Sequence, residues 1–78
     1  MQHKVEIYTT PTCKFCLATK ELFQENNIEY TEHDVATDME RRQEMLTKSG
    51  QGGVPVIFID GQMVIGFNEP KLRELLGI

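Results

Sequence analysis

The stretch from Val5 to Cys16, VEIYTTPTCKFC, joins an alternating apolar segment to the only two cysteines of the chain. Val5 to Tyr8 has the period-2 pattern of a half-buried β-strand, and the polar, proline-containing segment 9–12 interrupts it. Residues 13–26 are mostly good helix formers. This stretch therefore predicts a strand that leads into a helix, with both cysteines at the junction.

The predicted helix has start and stop signals and is followed by a second alternating segment. Thr12 is placed to cap its start, and Asn26-Asn27 ends it. Its apolar face consists of residues at i, i+3 and i+7, namely Phe15, Ala18 and Leu22. Segment 28–32 then alternates as a strand. Because the crossover is long, the two strands are expected to pair in parallel as a βαβ unit.

A second helix is predicted over residues 38–48. Thr37 and Glu40 match a capping box, in which the threonine oxygen accepts from the backbone and the glutamate reaches back to the cap. Segment 49–53, SGQGG, cannot continue that helix. Val54–Ile59 is a continuous apolar run with a proline near its beginning, which predicts a buried strand.

The last third of the chain predicts a hairpin and a helix. Asp60-Gly61 is a favoured hairpin turn between Val54–Ile59 and a strand over 62–65, so these two strands are expected to pair antiparallel. Asn68-Glu69-Pro70 starts a final helix that Gly77 stops. The inner face of that helix is expected to be Leu72, Leu75 and Leu76. The element order is β-α-β-α-β-β-α, an α/β fold without linkers or repeats.

Composition limits what the chain can be. With 78 residues, 40% of them hydrophobic, it has enough apolar side chains for one small core, so residues 1–78 are expected to form a single domain. No apolar run approaches the roughly 20 residues that cross a bilayer, and the opening residues do not resemble a signal peptide. We therefore expect a soluble, cytoplasmic protein without a membrane partner.

The charge balance disfavours a nucleic-acid partner. Eight basic and twelve acidic residues give a net charge of −4, which opposes binding to phosphate backbones. Segment 29–44 carries the whole excess, with six acids and two bases. We interpret it as solvated helix and loop surface, in preference to a docking surface for a basic protein.

The spacing and location of Cys13 and Cys16 indicate redox chemistry. At the first turn of a helix, residues i and i+3 share a face with Cα atoms roughly 5 to 6 Å apart, within reach of a disulfide. The backbone N–H groups at a helix start favour a thiolate at Cys13, and Lys14 adds a nearby cation. Cys16 lies one turn further in and is expected to be less accessible. Cys13 is therefore predicted to attack a substrate disulfide and Cys16 to resolve the mixed disulfide.

Two other interpretations of the cysteines are weaker. The first is that both cysteines only fill the core. Chance would rarely place the only two cysteines of a chain three residues apart and also at a strand-to-helix junction. A closed zinc site needs four ligands. The remaining candidates, His3 and His33, fall at the start of one strand and the end of another. No metal site is predicted.

Three segments together carry a resemblance to a known family: Tyr8–Cys16 after the first strand, Val54-Pro55, and Ile65-Gly66-Phe67 before the last helix. In this combination the chain resembles a glutaredoxin, or one of the closely similar small redoxins of the thioredoxin superfamily, over nearly its whole length. The resemblance implies a thioredoxin-like fold, with a four-stranded mixed sheet flanked by three helices.

The resemblance also implies a substrate site. It implies a cis peptide bond before Pro55 and a Val54 backbone that is free to pair with an extended substrate. It places Tyr8 and Phe15 near the mouth of the active site; the alternative for both is an ordinary core or rim aromatic. A glutathione or substrate groove would further include Thr10, Lys14, Gln51, Gly53, Gly66, Phe67 and Asn68. The alternative role for Asn68, which we favour, is the cap of the final helix.

The sequence departs from the glutaredoxin pattern around glutathione. The lysine usually found three residues before the first cysteine is Thr10, and the family's Thr-Val-Pro is Gly53-Val54-Pro55. Phe67 resembles redoxins that serve ribonucleotide reductase and are recycled by thioredoxin reductase. The resemblance therefore implies disulfide-containing protein substrates, with glutathione as co-substrate or thioredoxin reductase as electron source, and no tightly bound cofactor.

The leading hypothesis is a monomeric dithiol thiol–disulfide oxidoreductase that reduces protein or glutathione mixed disulfides. A second hypothesis is an iron–sulfur scaffold, in which Cys13 of two protomers and two glutathiones hold a cluster. Such family members typically have Ser in place of the second cysteine, and Cys16 argues against this role. A third is a binding module with a peptide groove formed by Phe67, Pro55 and Gly53.

Overall fold

The computed structural model describes residues 3–78; Met1 and Gln2, which begin the opening segment, lie outside the described residues. Seven elements follow the predicted order. They are β1 (Val5–Thr9), α1 (Lys14–Glu25), β2 (Thr31–Asp34), α2 (Met39–Ser49), β3 (Val56–Ile59), β4 (Gln62–Ile65) and α3 (Glu69–Leu76).

The strands form one mixed sheet in the order β2-β1-β3-β4. β1 pairs in parallel with β2, and the pairs β1–β3 and β3–β4 are antiparallel. The expected βαβ unit and hairpin are both confirmed. In the register of β1 and β3, Tyr8 lies opposite Val56. The last residues of β1 therefore lie beside the first residues of β3, at one end of these two central strands.

The two faces of the sheet bury different clusters. Alternation along β1 directs Val5 and Ile7 into a cluster with the inner faces of α1 and α3, whereas Tyr8 lies on the other face with Met45 of α2. On α3, Leu72 and Leu76 are buried and Leu75 packs against the same cluster, as predicted. The sheet is therefore covered by α1 and α3 on one side and by α2 on the other.

The start of α1 differs from the prediction. Cys13, not Thr12, is the N-cap residue, and its side chain accepts a hydrogen bond from the helix. The buried face consists of Cys16, Thr19, Leu22 and Phe23, whereas Phe15 is 65% exposed. Leu22 lies on this face as predicted, but the buried face is displaced around the helix from the predicted one, so Phe15 is directed to solvent and Cys16 to the core.

β2 begins later than predicted. Its ladder with β1 starts at Thr31, although the alternating apolar pattern begins at Ile28. Ile28 and Tyr30 pack from the connecting segment against the cluster under α1 and α3. Their apolar character therefore reflects packing and not ladder pairing.

The cap of α2 is also shifted by one residue. Asp38, rather than Thr37, caps the helix by accepting from the Arg41 N–H at 3.2 Å. The third helical position is then an arginine, so the predicted capping box does not form. A carboxylate is at least as good a cap as a hydroxyl.

The second half of the chain follows the prediction closely. β3 begins at Val56, two residues later than predicted, because Pro55 has no N–H to give to a ladder. Asp60 and Gly61 turn the hairpin with φ angles of 52° and 86°. Asn68 caps α3, and Gly77 ends it in the left-handed conformation.

Candidate active site

The two cysteines occupy the first turn of α1. The Cys13 N–H donates to Thr10 O at 3.3 Å, which closes the turn before the helix, and the Leu17 N–H donates to Cys13 O at 3.2 Å. The Cα atoms of Cys13 and Cys16 are 5.2 Å apart, and the sulfur atoms form a disulfide. The chain can therefore join or separate the two sulfurs within a single helical turn.

The sulfur of Cys13 accepts a hydrogen bond from one backbone N–H at the start of α1. The Cys16 N–H donates to Cys13 Sγ at 3.1 Å. No acidic side chain occupies the first turn of α1, and Lys14 is its first residue. When the pair is reduced, the helix dipole and this N–H favour the thiolate at Cys13.

The two cysteines differ in their exposure to solvent. Cys13 is partly exposed, whereas Cys16 is 1% exposed and packs beneath the helix start. The expected asymmetry, with an outer Cys13 and an inner Cys16, is confirmed. A solvent-borne partner therefore meets Cys13 first.

The turn that contains Pro55 lies at the same end of the central strands as the loop from β1 to Cys13. The Val54–Pro55 peptide bond is cis, as the resemblance implied. Pro55 is buried, and its carbonyl accepts from the Gly66 N–H at 2.8 Å, which ties the start of β3 to the end of β4. Val54 is partly exposed, and no hydrogen bond among residues 3–78 uses its N–H or its C=O.

A cleft of about 380 Å³ adjoins Cys13 on the β2 side. It brings together Cys13, two of the predicted site residues, and charged residues of α1 and β2. Its lining is Thr9, Thr10, Pro11, Thr12, Cys13, Lys14, Leu17, Lys20, Glu32 and Asp34. Thr10 and Lys14 thus line this cleft together with Cys13. None of the other residues predicted for the substrate groove is part of its lining.

Two of the four charged side chains that line the cleft, Lys20 and Glu32, pair with each other. Glu32 accepts from Lys20 Nζ at 2.9 Å and from Thr9 Oγ1 at 2.7 Å. The bonds from Lys20 and Thr9 lower the pKa of the Glu32 carboxyl below its usual value of 4.5. Sequence reasoning missed Lys20 and Glu32. The available signal was the parallel βαβ unit, in which the end of the second strand meets the first helical turn.

Tyr8 is not at the active-site mouth. It is completely buried on the α2 face of the sheet, and its hydroxyl donates to Glu44 Oε1 at 2.5 Å. Burial, and next the hydrogen bond to Glu44, raises the pKa of Tyr8 well above its usual value of 10.0. A side chain without exposed surface cannot contact a substrate, so this placement corrects the expectation for Tyr8.

Two polar residues assigned to the groove bond to the protein itself. The side-chain amide of Gln51 forms hydrogen bonds with the backbone of Gly53, two residues further along the chain. Asn68 Oδ1 accepts from the Lys71 N–H at 3.4 Å as the cap of α3. Phe67 packs partly buried against the core beside α3, whereas Phe15 remains exposed on α1.

Neither a metal cluster nor a membrane span is found in the part of the chain that the structure describes. Among residues 3–78, no group of three or more His, Cys, Asp or Glu side chains could hold a metal ion. None of the helices described is long and apolar enough to cross a bilayer.

Comparison with known proteins agrees with this geometry. The family model described as Glutaredoxin matches residues 5–64. The chain is 46% identical over 72 residues to an uncharacterized glutaredoxin-like 8.6 kDa protein in the rubredoxin operon of Clostridium pasteurianum, which covers 92% of this chain and 96% of that protein. It is 37% identical over 65 residues to glutaredoxin 3 of Escherichia coli strain K12, with 83% and 78% of the two chains covered.

Solved structures show the same architecture. The thioredoxin-like protein BC3987 is 40% identical and superposes with a TM-score of 0.89 over 94% of this chain and 100% of its own. The glutaredoxin of Archaeoglobus fulgidus is 26% identical, with a TM-score of 0.84 over 94% and 85% of the two chains. A thioredoxin-like fold with a cysteine pair at the start of α1 defines a thiol–disulfide oxidoreductase. Within that class, the chain belongs to the glutaredoxin family.

Proposed function

We propose that the chain is a dithiol electron carrier that reduces disulfides of other proteins, or glutathione mixed disulfides, through Cys13 and Cys16. The Cys13 thiolate attacks one sulfur of the substrate disulfide, forms a mixed disulfide and expels the first substrate thiolate. Cys16 then gives up its proton and attacks the Cys13 sulfur. The second substrate thiol leaves, and the protein retains the Cys13–Cys16 disulfide. Two external thiols, which are themselves oxidised to a disulfide, or a reduced flavoprotein supply two electrons and two protons and restore both thiols.

One observation carries this proposal: Cys13 Sγ caps α1 and accepts from the Cys16 N–H at 3.1 Å. That position supports the thiolate on the outer sulfur and keeps the inner sulfur within one turn of it. The partial exposure of Cys13 and the burial of Cys16 support their division into nucleophile and resolving thiol.

The Val54–Pro55 turn is the proposed contact for the substrate backbone. The free N–H and C=O of Val54 can pair with an extended chain in the manner of strand addition. Phe15, 65% exposed and within the Cys13–Cys16 turn, offers an apolar surface to the same partner. The Gly66 N–H donates a hydrogen bond to Pro55 O, so Gly66 lies next to this turn.

Two cysteine variants test the proposed roles. Cys13→Ser is expected to abolish disulfide reduction, because no nucleophile remains. Cys16→Ser is expected to accumulate a stable mixed disulfide with the substrate, which intact-protein mass spectrometry detects. Full activity of Cys13→Ser, or a mixed disulfide that forms through Cys16 in the wild type, would refute the assignment.

The electron source has two candidates, and three features of the site favour the second. Glutathione is the co-substrate that family membership suggests. However, Thr10 supplies no cation, Gln51 bonds to Gly53, and Asn68 caps α3, so few polar side chains remain for a glutathione peptide. This favours recycling by a thioredoxin reductase, as in redoxins that serve ribonucleotide reductase.

Two regenerating systems separate these candidates. Oxidised protein is supplied either with glutathione, glutathione reductase and NADPH or with thioredoxin reductase and NADPH, and NADPH oxidation is followed. Faster turnover with thioredoxin reductase supports the second candidate, and faster turnover with glutathione supports the first. We further propose that residues 1–78 act as one monomeric domain in the cytoplasm, and size-exclusion chromatography tests the monomer.

A further inference from the structure

The loop between α2 and Pro55 is more constrained than its composition suggests. Segment 49–54 has the sequence SGQGGV, and three glycines in so short a connection would ordinarily give a mobile chain. In the structure, two side chains, Ser49 and Gln51, bind the backbone along this segment. The loop immediately precedes the Val54–Pro55 turn of the proposed substrate site.

Ser49 links the loop to the last turn of α2. Its hydroxyl lies 2.6 Å from Met45 O and 2.8 Å from Gln51 O, and can donate its single proton to either carbonyl. The same oxygen accepts from the Gln51 N–H at 3.3 Å. The backbone of Gln51 is thereby tied to the helix.

The side chain of Gln51 extends this link to Gly53. Gln51 Oε1 accepts from the Gly53 N–H at 2.6 Å, and Gln51 Nε2 donates to Gly53 O at 3.0 Å. One amide therefore binds both backbone groups of Gly53. The first unpaired backbone N–H and C=O after this clamp belong to Val54.

Gly53 and Gln51 are sterically matched. A Cβ added at Gly53 would lie 2.7 Å from Gln51 Oε1, closer than real Cβ contacts allow. Gly53 does not have the left-handed backbone conformation, so the amide of Gln51 is the main obstacle to a side chain there. The glycine that replaces the family's threonine thus makes room for the glutamine amide.

We propose that Gln51 is a positioning residue that fixes the Val54 backbone for an extended polypeptide substrate. This inference rests on the proposed function, in which Val54 pairs with the substrate main chain. Ordering a glycine-rich loop upon binding would reduce affinity, and the clamp removes that loss before the substrate arrives. Recognition through one residue's N–H and C=O selects disulfides in extended polypeptide, largely independently of charged side chains.

The test compares two disulfides that differ in their peptide groups. The protein is reduced and freed of reductant, then mixed with excess of a disulfide-bonded peptide or of hydroxyethyl disulfide, which has no peptide groups. For the peptide, Gln51→Ala should raise the half-saturating concentration roughly fivefold to tenfold and leave the rate at saturation nearly unchanged, since about one to two hydrogen bonds order the site. The reaction with hydroxyethyl disulfide should not change.

A double-mutant cycle checks that the effect passes through Gly53. Gly53→Ala alone should displace the Gln51 amide and weaken peptide binding about as much as Gln51→Ala does. Added to Gln51→Ala, it should have little further effect, because the obstructing amide is gone. Gln43→Ala, an exposed glutamine on α2, serves as the matched control and should bind both disulfides as the wild type does.

The outcomes separate this inference from the function on which it rests. If the wild type reduces neither disulfide, the proposed function is refuted, and this inference with it. If the wild type reduces both, but Gln51→Ala leaves peptide binding unchanged or slows both disulfides equally, only the role of Gln51 is refuted. Additive effects of the two substitutions would likewise refute the clamp. Thermal unfolding of each variant confirms that the proteins compared are folded.

Discussion

Replacing Tyr8 with phenylalanine removes one buried oxygen and keeps the aromatic ring. Tyr8 has no exposed surface, and its hydroxyl bonds to Glu44 Oε1 across the interface between the sheet and α2. Glu44 also accepts from Arg41 at 3.0 Å and from Lys48 at 3.3 Å. The substitution therefore breaks one charge-assisted bond and leaves the carboxylate with its two cationic partners.

The expected loss of stability follows from these contacts. A hydrogen bond to a charged group contributes about 1.5–3 kcal/mol to folding. Because Glu44 keeps Arg41 and Lys48, we expect the lower end, about 1.5 kcal/mol, from Tyr8→Phe. For a domain of this size each kcal/mol shifts the melting temperature by about 4–8 °C, so Tm should fall by about 6–12 °C.

Burial of Tyr8, and next its bond to Glu44, gives this effect a pH dependence of known sign. The pKa of Tyr8 is raised in the folded protein above its usual value of 10.0, so its contribution is fully present below pH 10. As the pH rises further, the tyrosine ionises in the unfolded chain first, and the stability of the wild type declines. Tyr8→Phe lacks this decline, and the difference between the two proteins should shrink above about pH 10.

Urea unfolding, together with disulfide reduction, provides the assay. The urea concentration at the unfolding midpoint should fall, whereas the dependence of the free energy of unfolding on urea concentration should not change. Reduction of a disulfide-bonded peptide should proceed at the wild-type rate. The reasoning fails if stability stays within about 0.5 kcal/mol of the wild type. It also fails if stability is retained and activity falls, since Tyr8 would then act at the site from which its burial excludes it.

Two further substitutions test smaller parts of the structure. Asn68→Ala removes the cap of α3 and should lower the free energy of unfolding by about 1 kcal/mol in urea titrations, and an unchanged midpoint would contradict the capping role. Glu32→Gln tests the cleft: the pKa of Glu32 is lowered by its bonds to Lys20 and Thr9, so its contribution is present above pH 4.5 and lost as the pH falls through the folded pKa. Parallel unfolding curves should therefore show the stability difference between Glu32→Gln and the wild type shrinking in acid, and a constant difference would contradict this account.

The fold was predictable because its signals are local and mutually consistent. Alternation identified β1, and Asp60-Gly61 identified the hairpin of β3 and β4. The errors in the predicted helix starts amount to one residue each and have a physical cause. Thr12 and Thr37 were credible caps, but Cys13 and Asp38, each the next residue, accept the bonds. Two neighbouring cap formers cannot be ranked by residue type alone when the packing of the helix decides between them.

The site was predictable only in part. The cysteine pair could be found from its spacing and junction, and the cis bond before Pro55 came from the resemblance. Tyr8 was misplaced although alternation with Ile7 already assigns it to the sheet face opposite α1. The Gln51 clamp could not be anticipated, because a side chain that bonds to a backbone two residues away leaves no periodic pattern in the sequence.

The unequal exposure of the two cysteines bears on damage by peroxide. Hydrogen peroxide in solution meets Cys13 first, where the thiolate takes up one oxygen atom with release of water, and a proton from solvent converts the sulfenate to the sulfenic acid. The thiol of Cys16, one helical turn away and shielded from the oxidant, can condense with that sulfenic acid, releasing a second water and leaving the disulfide. This condensation competes with irreversible oxidation to the sulfinic acid, and its product is the same Cys13–Cys16 disulfide that forms in the proposed catalytic cycle.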